Sequence, residues 1–375
     1  MRIGVPAETR PGETRVAATP ETVKKLVAGG KHTLFVQSGA GTAAAVPDAE
    51  FQAAGATIAP SAADIYGQAD IVLKVRAPEA AELASLRRGS IVIGLLNPYD
   101  GAGIEALART GVAGFAMEWL PRITRAQAMD VLSSQANIAG YKAVMIGANE
   151  YGRFMPMLMT AAGTVKAARV LVMGAGVAGL QAIATAKRLG AVIEAFDVRP
   201  AVKEQVESLG AKFVEVPMSD EEKKQAETAG GYAREMSEDY KRRQAELVHE
   251  RAKVADIVIT TALIPGRPAP VLIRAETVQA MKPGSVIVDL AVEQGGNCPL
   301  SERDKVVVKH GVRIVGLTNL PALLAADASS LYARNLLNFL NLLVDPKSGE
   351  LKLDREDEVI AGALVCIDGQ VVKKG

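Results

Sequence analysis

The chain has 375 residues, 49% of them hydrophobic and 23% charged, and its 43 basic and 42 acidic side chains leave a formal net charge of +1. That length accommodates two domains of ordinary size, each with its own core. The charge balance excludes a basic footprint for nucleic acid or for an anionic membrane surface. Cys298 and Cys366, the two cysteines, have neither C-x-x-C spacing nor a histidine at ligand spacing, so no metal site and no disulfide scaffold is expected. Both read as buried packing thiols in a reducing compartment. The opening MRIGVPAETRPGETR has no apolar core of a signal peptide. The longest uncharged run, 170–186, is broken by three glycines and a glutamine and reads as strand, turn and helix rather than a membrane span.

In chain order, RIGVP is a short strand and TPETVKKLVAGG a helix, with Thr19 as N-cap, Pro20 in the first turn and glycines at its end. HTLFVQ, the helical DAEFQAAGA, ADIVLKV, the strand SIVIGLL, the helix GIEALARTG and VAGFAM follow. Alternating strand and helix signals argue a parallel sheet covered by helices on both faces. The stretch PRITRAQAMDVLSSQ, 121–135, is unusual. Arg122 and Arg125 precede an expected helix on which Gln127, Asp130, Ser133 and Ser134 fall at three- and four-residue spacing, predicting one polar stripe. From about Ser134 to Phe154 one long helix is expected, with Ile138, Tyr141, Met145 and Ala148 on a face, ending before Pro156.

A second series runs from ARVLVMGAGVAGLQAIATAKRLGA through VIEAFDV, ADIVITTAL and GSVIVDLAV to VRIVGLT, and the long helix AADASSLYARNLLNFLNLLV follows. The tail EVIAGALVCIDGQVVKK reads as two strands around Asp368-Gly369. The long helices flanking the second series suggest a chain that crosses to a second domain and returns. Domain one is then 1–133 plus 325–375, domain two is 134–324, and the cleft between them is the expected ligand site.

Gly174, Gly176 and Gly179 stand in G-x-G-x-x-G spacing after an apolar strand and at the start of a helix. Gly174 makes the tight turn, Gly176 lets the backbone approach a pyrophosphate, and Gly179 permits close helix–strand packing. Ala175, Val177 and Ala178 complete the turn, whose helix start offers N–H donors. A second strand leads to Asp197, 18 residues after Gly179, placed to accept from the adenosine ribose hydroxyls, with Val198 and Arg199 beside it. A 2′-phosphate would meet that carboxylate, which favours NAD(H) over NADP(H), although the charge on Arg199 works against the preference. Between KFVEV and ADIVITTAL lies an insert with 17 charged residues in 37. Most of it reads as solvated helix, while Gly230, Gly231 and Tyr232 suit a hinged lid.

Together PRITRAQAMDVLSSQANIAGY, GVAGLQAIATAKRLGA, TAGGYA, TTALIPGRPAPVLI and MKPGSVIVDLAVEQGGNCPLSE resemble the NAD(H)-binding component, domain I, of the proton-translocating nicotinamide nucleotide transhydrogenases, over essentially the whole chain. The resemblance implies an α/β fold of two doubly wound, parallel-sheet, Rossmann-like domains linked by long helices. It implies that Gln127 bonds the nicotinamide ribose, that Arg122 and Asp130 pair to shape their loop, and that Ser133 contacts the nicotinamide side. It places Tyr232 in the mobile loop and Gln244, Ala262 and Leu263 on further nucleotide contacts. The cofactor implied is NAD(H), with NADP(H) on a partner component. Further partners implied are a membrane-spanning proton-channel subunit and a second copy of the chain. The location implied is cytoplasmic, peripheral to the inner face of the cell membrane. With one fingerprint and no membrane span, this chain leaves those other components to separate polypeptides.

Alanine dehydrogenases share the resemblance and are the principal rival. Arg15 and Lys74 match the residues that hold the substrate there. Those enzymes also need an imidazole after the strand equivalent to SIVIGLL and an aspartate before QGG. Here the first stretch reads GLLNPYD, the only histidines are His32, His249 and His310, and the aspartate position holds Glu293. Amination of a ketone needs proton transfer, whereas hydride transfer between two nicotinamides needs only ring placement. A non-catalytic NAD(H)-sensing module is the second alternative.

Overall fold

The computed structural model describes residues 1–217, 237–345 and 347–372, and the chain divides into two compact units, Met1–Gln135 with Pro321–Gly375, and Ala136–Leu320. Strands of the first unit are β1 (Arg2–Val5), β2 (Thr33–Gln37), β3 (Thr57–Ala59), β4 (Ile71–Arg76), β5 (Ile91–Leu95) and β6 (Ala113–Ala116). They pair in parallel in the order β3-β2-β1-β4-β5-β6. Successive residues serve opposite faces. Ile71, Leu73, Ile91 and Ile93 join one core with Tyr332, Leu336 and Phe339 of the helix Ala325–Leu343. Val72 and Val92 join the other, with Ile65, Tyr66 and Leu107. Burial on both faces explains why these strands read as continuous apolar runs.

The second unit begins with a small hairpin, β7 (Leu158–Thr160) and β8 (Gly163–Val165). Its main sheet comprises β9 (Arg169–Met173), β10 (Val192–Phe196), β11 (Lys212–Val214), β12 (Ile257–Thr260), β13 (Val286–Asp289), β14 (Val306–Lys309) and β15 (Val312–Val315), in the order β11-β10-β9-β12-β13-β15-β14. All pairs are parallel except β14–β15. The chain runs outward from β9 to β11 and then returns to lay β12 on the other side of β9. The crevice at the carboxyl ends of β9 and β12 is therefore a topological switch point, where open α/β sheets bind ligands. Both units carry the doubly wound α/β architecture that the alternating signals imply.

In the tail, β16 (Leu364–Ile367) runs antiparallel to β6, and β17 (Gln370–Val371) antiparallel to β16. Asp368 and Gly369 both have positive φ, 51° and 81°, as a two-residue primed turn requires. The first half of the tail departs from its reading as a strand, because Glu358–Ala363 is a helix capped by Asp357. A second departure concerns the long helix, which spans Val131–Tyr151. Ile138 is buried, but Tyr141 and Met145 are 38% and 37% exposed, and the buried side carries Gly140, Ala143, Val144 and Gly147. Closeness of approach, rather than side-chain size, selects this face. A Cβ on Gly140 would collide with the backbone carbonyl of Ala178, and one on Gly147 would lie 3.1 Å from Ile257.

Two glycine-to-alanine changes should thus have opposite signs. Gly140→Ala drives a methyl into backbone and should cost about 2 kcal/mol. Gly67→Ala, in the exposed helix Ala62–Gln68 with nothing within 4 Å of its Cβ position, should gain roughly 0.5 kcal/mol. Urea unfolding followed by circular dichroism measures both; equal effects would contradict the packing described.

Candidate functional site

The turn after β9 is built by its glycines. Gly174 has φ +101°, and a Cβ there would sit 2.5 Å from the Thr261 hydroxyl. A Cβ on Gly179 would strike the carbonyl of Gly174, so the helix Val177–Arg188 can lie against the turn only with glycine at that position. Gly176 is different: its Cβ position faces open space. Its residue is the N-cap of the helix, with no side chain capping the first turn. Bare N–H groups and the positive end of the helix dipole thereby face an unfilled cradle, the arrangement that suits a phosphate. Val177 is 39% exposed and Ala178 is half-buried on the same turn.

Asp197 follows β10 and is buried. Its carboxylate accepts from the Ala175 N–H at 2.7 Å, which ties the glycine turn to the neighbouring strand end. Arg199 donates to it from its backbone N–H at 2.8 Å and from Nε at 2.9 Å and Nη2 at 2.8 Å. That ion pair raises the pKa of the guanidinium. Val198 packs on the core of this sheet face. On the other side of the crevice, Thr261 donates from its N–H to the Met173 carbonyl at 2.8 Å and from its hydroxyl to the Gly174 carbonyl at 3.1 Å. This places Ala262 and the exposed Leu263 beside the turn. Gln244 lies half-buried on the helix Glu238–Val254, while Gly231 and Tyr232, with the lid reading, lie outside the described residues. The turn, the acidic residue and the open cradle fit a dinucleotide.

One contributor escapes sequence reasoning. Asn297 is fully buried and clamps the loop after β12: its Oδ1 accepts from the Ala262 N–H at 3.1 Å, and its Nδ2 donates to the carbonyls of Ala262 at 2.9 Å and Pro270 at 2.8 Å. An asparagine straight after two glycines, Gly295 and Gly296, is the one signal the sequence offers for it. Asp289 holds the same segment through the N–H groups of Ala291, Asn297 and Cys298. Cys298 and Cys366 are both buried.

The stretch 121–135 belongs to the first unit. It is not a continuous helix. Thr124–Met129 forms a 3₁₀ turn, and Asp130, with extended backbone, separates it from the helix Val131–Tyr151. The expected single stripe is therefore broken at Asp130. Its carboxylate instead accepts from the Ser133 N–H at 2.9 Å and the Ser133 hydroxyl at 2.6 Å, capping the helix start. Ala126 and Met129 are buried, Arg125 makes a two-pronged ion pair with Asp357 at 2.7 Å, and Asn335 and Asn338 both donate to the Ala128 carbonyl. With its backbone held on both sides, the turn presents Gln127 and Arg122 exposed.

Arg15 and Lys74 are buried at 3% and 1% exposure. Arg15 donates from Nε and Nη2 to Glu13, both at 2.7 Å, and from Nη1 to Gln135 at 2.8 Å. Lys74 donates to Glu82 at 2.6 Å and lies 3.6 Å from Glu8. Both cations are neutralised within the chain. Burial raises the pKa of Glu13, yet hydrogen bonds from Arg15 and the charges of Arg15 and Arg76 overcome it and hold the carboxyl at about 2. After β5 the chain continues through Leu96 and Asn97, with no imidazole. His249 bonds Thr277 at 2.9 Å, and Glu293 is exposed beside Arg303. Among the described residues no group of three or more His, Cys, Asp or Glu could hold a metal ion, and no helix is long and apolar enough to cross a membrane.

The sequence matches the family descriptions "Alanine dehydrogenase/PNT, N-terminal domain" over residues 4–139 and "Alanine dehydrogenase/PNT, C-terminal domain" over residues 143–374. It is 57% identical over 378 residues to an NAD(P) transhydrogenase subunit alpha chain of Rhodospirillum rubrum, covering 99% of this chain and 98% of that one. An alanine dehydrogenase of Mycobacterium tuberculosis is 33% identical over 341 residues, 89% of this chain and 84% of that one. The crystal structure of transhydrogenase from Sinorhizobium meliloti superposes with a TM-score of 0.89 at 51% identity, covering 99% of this chain and 100% of that one.

The Glu13–Arg15 pair makes stability depend on acid. A carboxyl whose pKa is lowered by folding contributes stability in full above its unfolded value of 4.5, and that contribution disappears as pH falls toward about 2. Glu13→Gln, which strands a buried guanidinium, should cost about 3 kcal/mol at pH 7. The gap from wild type should shrink between pH 4.5 and 2, as fluorescence of Trp119, the one tryptophan, would record in urea. A gap independent of pH would contradict the assignment.

Proposed function

The chain belongs to the alanine dehydrogenase/PNT family, among its NAD(P) transhydrogenase alpha subunits, and from that premise we propose that it is the NAD(H)-binding catalytic component of a proton-translocating transhydrogenase. The reaction is reversible hydride transfer between NADH on this chain and NADP⁺ on a partner component, coupled to proton passage through a membrane-spanning subunit. The observation that carries the reading is the open cradle at Gly176, with a buried carboxylate at the next strand end and no side chain competing for the first-turn N–H groups.

NADH supplies the hydride when bound. The backbone of Gly174–Gly179 holds its pyrophosphate, Asp197 accepts from its adenosine ribose, and the loop pinned by Asn297 supplies Ala262 and Leu263 as contacts. Gln127 orients the nicotinamide ribose from a turn whose backbone is anchored, with Arg122, Asp130 and Ser133 shaping that turn and the approach of the ring. No proton transfer is asked of these side chains. This is the reason to prefer transhydrogenation to alanine dehydrogenation, since reductive amination needs an acid/base group and no imidazole follows β5. In this reading the protein works as a homodimer, peripheral to the inner face of the membrane through its partner subunits.

Hydride exchange with a purified NADP(H)-binding transhydrogenase component tests the proposal. Wild type should oxidise NADH in that mixture and should not consume NADH with pyruvate and ammonium alone. Gln127→Asn shortens the orienting amide, and a misplacement of about 1 Å can cost roughly 100-fold in rate. Single-turnover transfer should fall by about that factor while the NADH dissociation constant changes little. Equal loss in both would make Gln127 an ordinary anchor, and no change in either would remove it from the reaction centre.

A further inference from the structure

The two oxygens of Asp197 hold four donors, which fill the roughly four lone-pair positions of a carboxylate. The donors differ in kind. On Oδ2 the Ala175 N–H, and on Oδ1 the Arg199 N–H, are backbone groups fixed by the turn and the strand end. The other two belong to one guanidinium, Nε on Oδ1 and Nη2 on Oδ2. Each oxygen thus has one permanent donor and one that a rotation of a single side chain would withdraw. The Arg199 side chain is 24% exposed, so its head has a route to water, whereas the carboxylate it covers is 6% exposed.

We propose that the Arg199 guanidinium is an internal occupant of the ribose site, which a vicinal diol must displace. Two parallel N–H donors spread over two carboxylate oxygens are matched by two adjacent O–H donors on one sugar ring. When the fork leaves, one acceptor position opens on each oxygen, and the 2′ and 3′ hydroxyls of an adenosine ribose fill them. A nucleotide carrying phosphate on the 2′ oxygen keeps one hydroxyl of the pair and cannot replace both donors. Discrimination at this position therefore comes from the number of donors as well as from charge repulsion. Affinity for NADH is correspondingly lower than the cradle alone would give, because binding exchanges two charge-assisted bonds for two neutral donors. This inference rests on the assignment of the glycine turn as an NAD(H) site.

Titration of the full chain with NADH tests it. Arg199→Gln removes the fork and its charge, and Arg199→Lys keeps the charge but cannot span both oxygens. Both variants should bind NADH more tightly than wild type, on the order of fivefold for Gln and less for Lys. In an Asp197→Asn background, where there is no carboxylate to occupy, Arg199→Gln should bring no gain. Weaker or unchanged NADH binding by Arg199→Gln would overturn displacement and make Arg199 an anchor or a bystander. A wild-type chain that binds no NADH would instead overturn the nucleotide reading itself.

Discussion

One carboxylate organises the ligand-facing end of the second unit. Asp197 sits where β10 ends, and through the Ala175 N–H it fixes the turn between β9 and the helix that follows. That turn can exist only because Gly174 takes a positive φ and because Gly179 lets the helix lie on the Gly174 carbonyl. The opposite wall depends on the same turn, since Thr261 bonds the carbonyls of Met173 and Gly174. Loss of a Cβ at three positions, one buried acid and one hydroxyl therefore define the crevice. Asn297 then fixes how the loop after β12 leaves it.

The first unit shows how one fold can be kept while its chemistry is narrowed. Arg15 and Lys74 remain buried and paired with Glu13, Glu82 and Glu8. These pairs knit β4 to the loop after β1, and removing one partner would leave an uncompensated charge, which is far costlier than the pair is worth. Such residues persist for structural reasons alone once an acid/base partner is gone. Hydride exchange between two nicotinamides makes no demand on them.

How much of this is legible in the sequence depends on whether the deciding force is local. The glycine spacing announces the turn because backbone conformation and close approach are properties of the missing side chain itself. Asp368-Gly369 announces its hairpin for the same reason. The helix Val131–Tyr151 misleads, because hydrophobic periodicity points to Tyr141 and Met145, while the packed side is chosen by how near Gly140 and Gly147 let neighbours come. The break at Asp130 is hidden too: three- and four-residue spacing looks helical, yet an aspartate that bonds Ser133 two ways is a cap, and a cap ends the segment before it. Helix Glu358–Ala363 is short and apolar, and a run of that kind has no period to distinguish it from a strand. The engagement of Asp197 by Arg199 needs coordinates, since adjacency in sequence gives no hydrogen-bond geometry.

Comparison of NADH with NADPH in equilibrium titrations of the isolated chain tests the central claim most directly, because it interrogates the crevice without any partner. A buried carboxylate at the ribose position predicts saturable binding of NADH at one site per chain and binding of NADPH weaker by roughly 100-fold or more, a gap that Asp197→Asn should narrow. Equal affinities for the two nucleotides in the wild-type protein would contradict the role given to Asp197 and, with it, the account of the site.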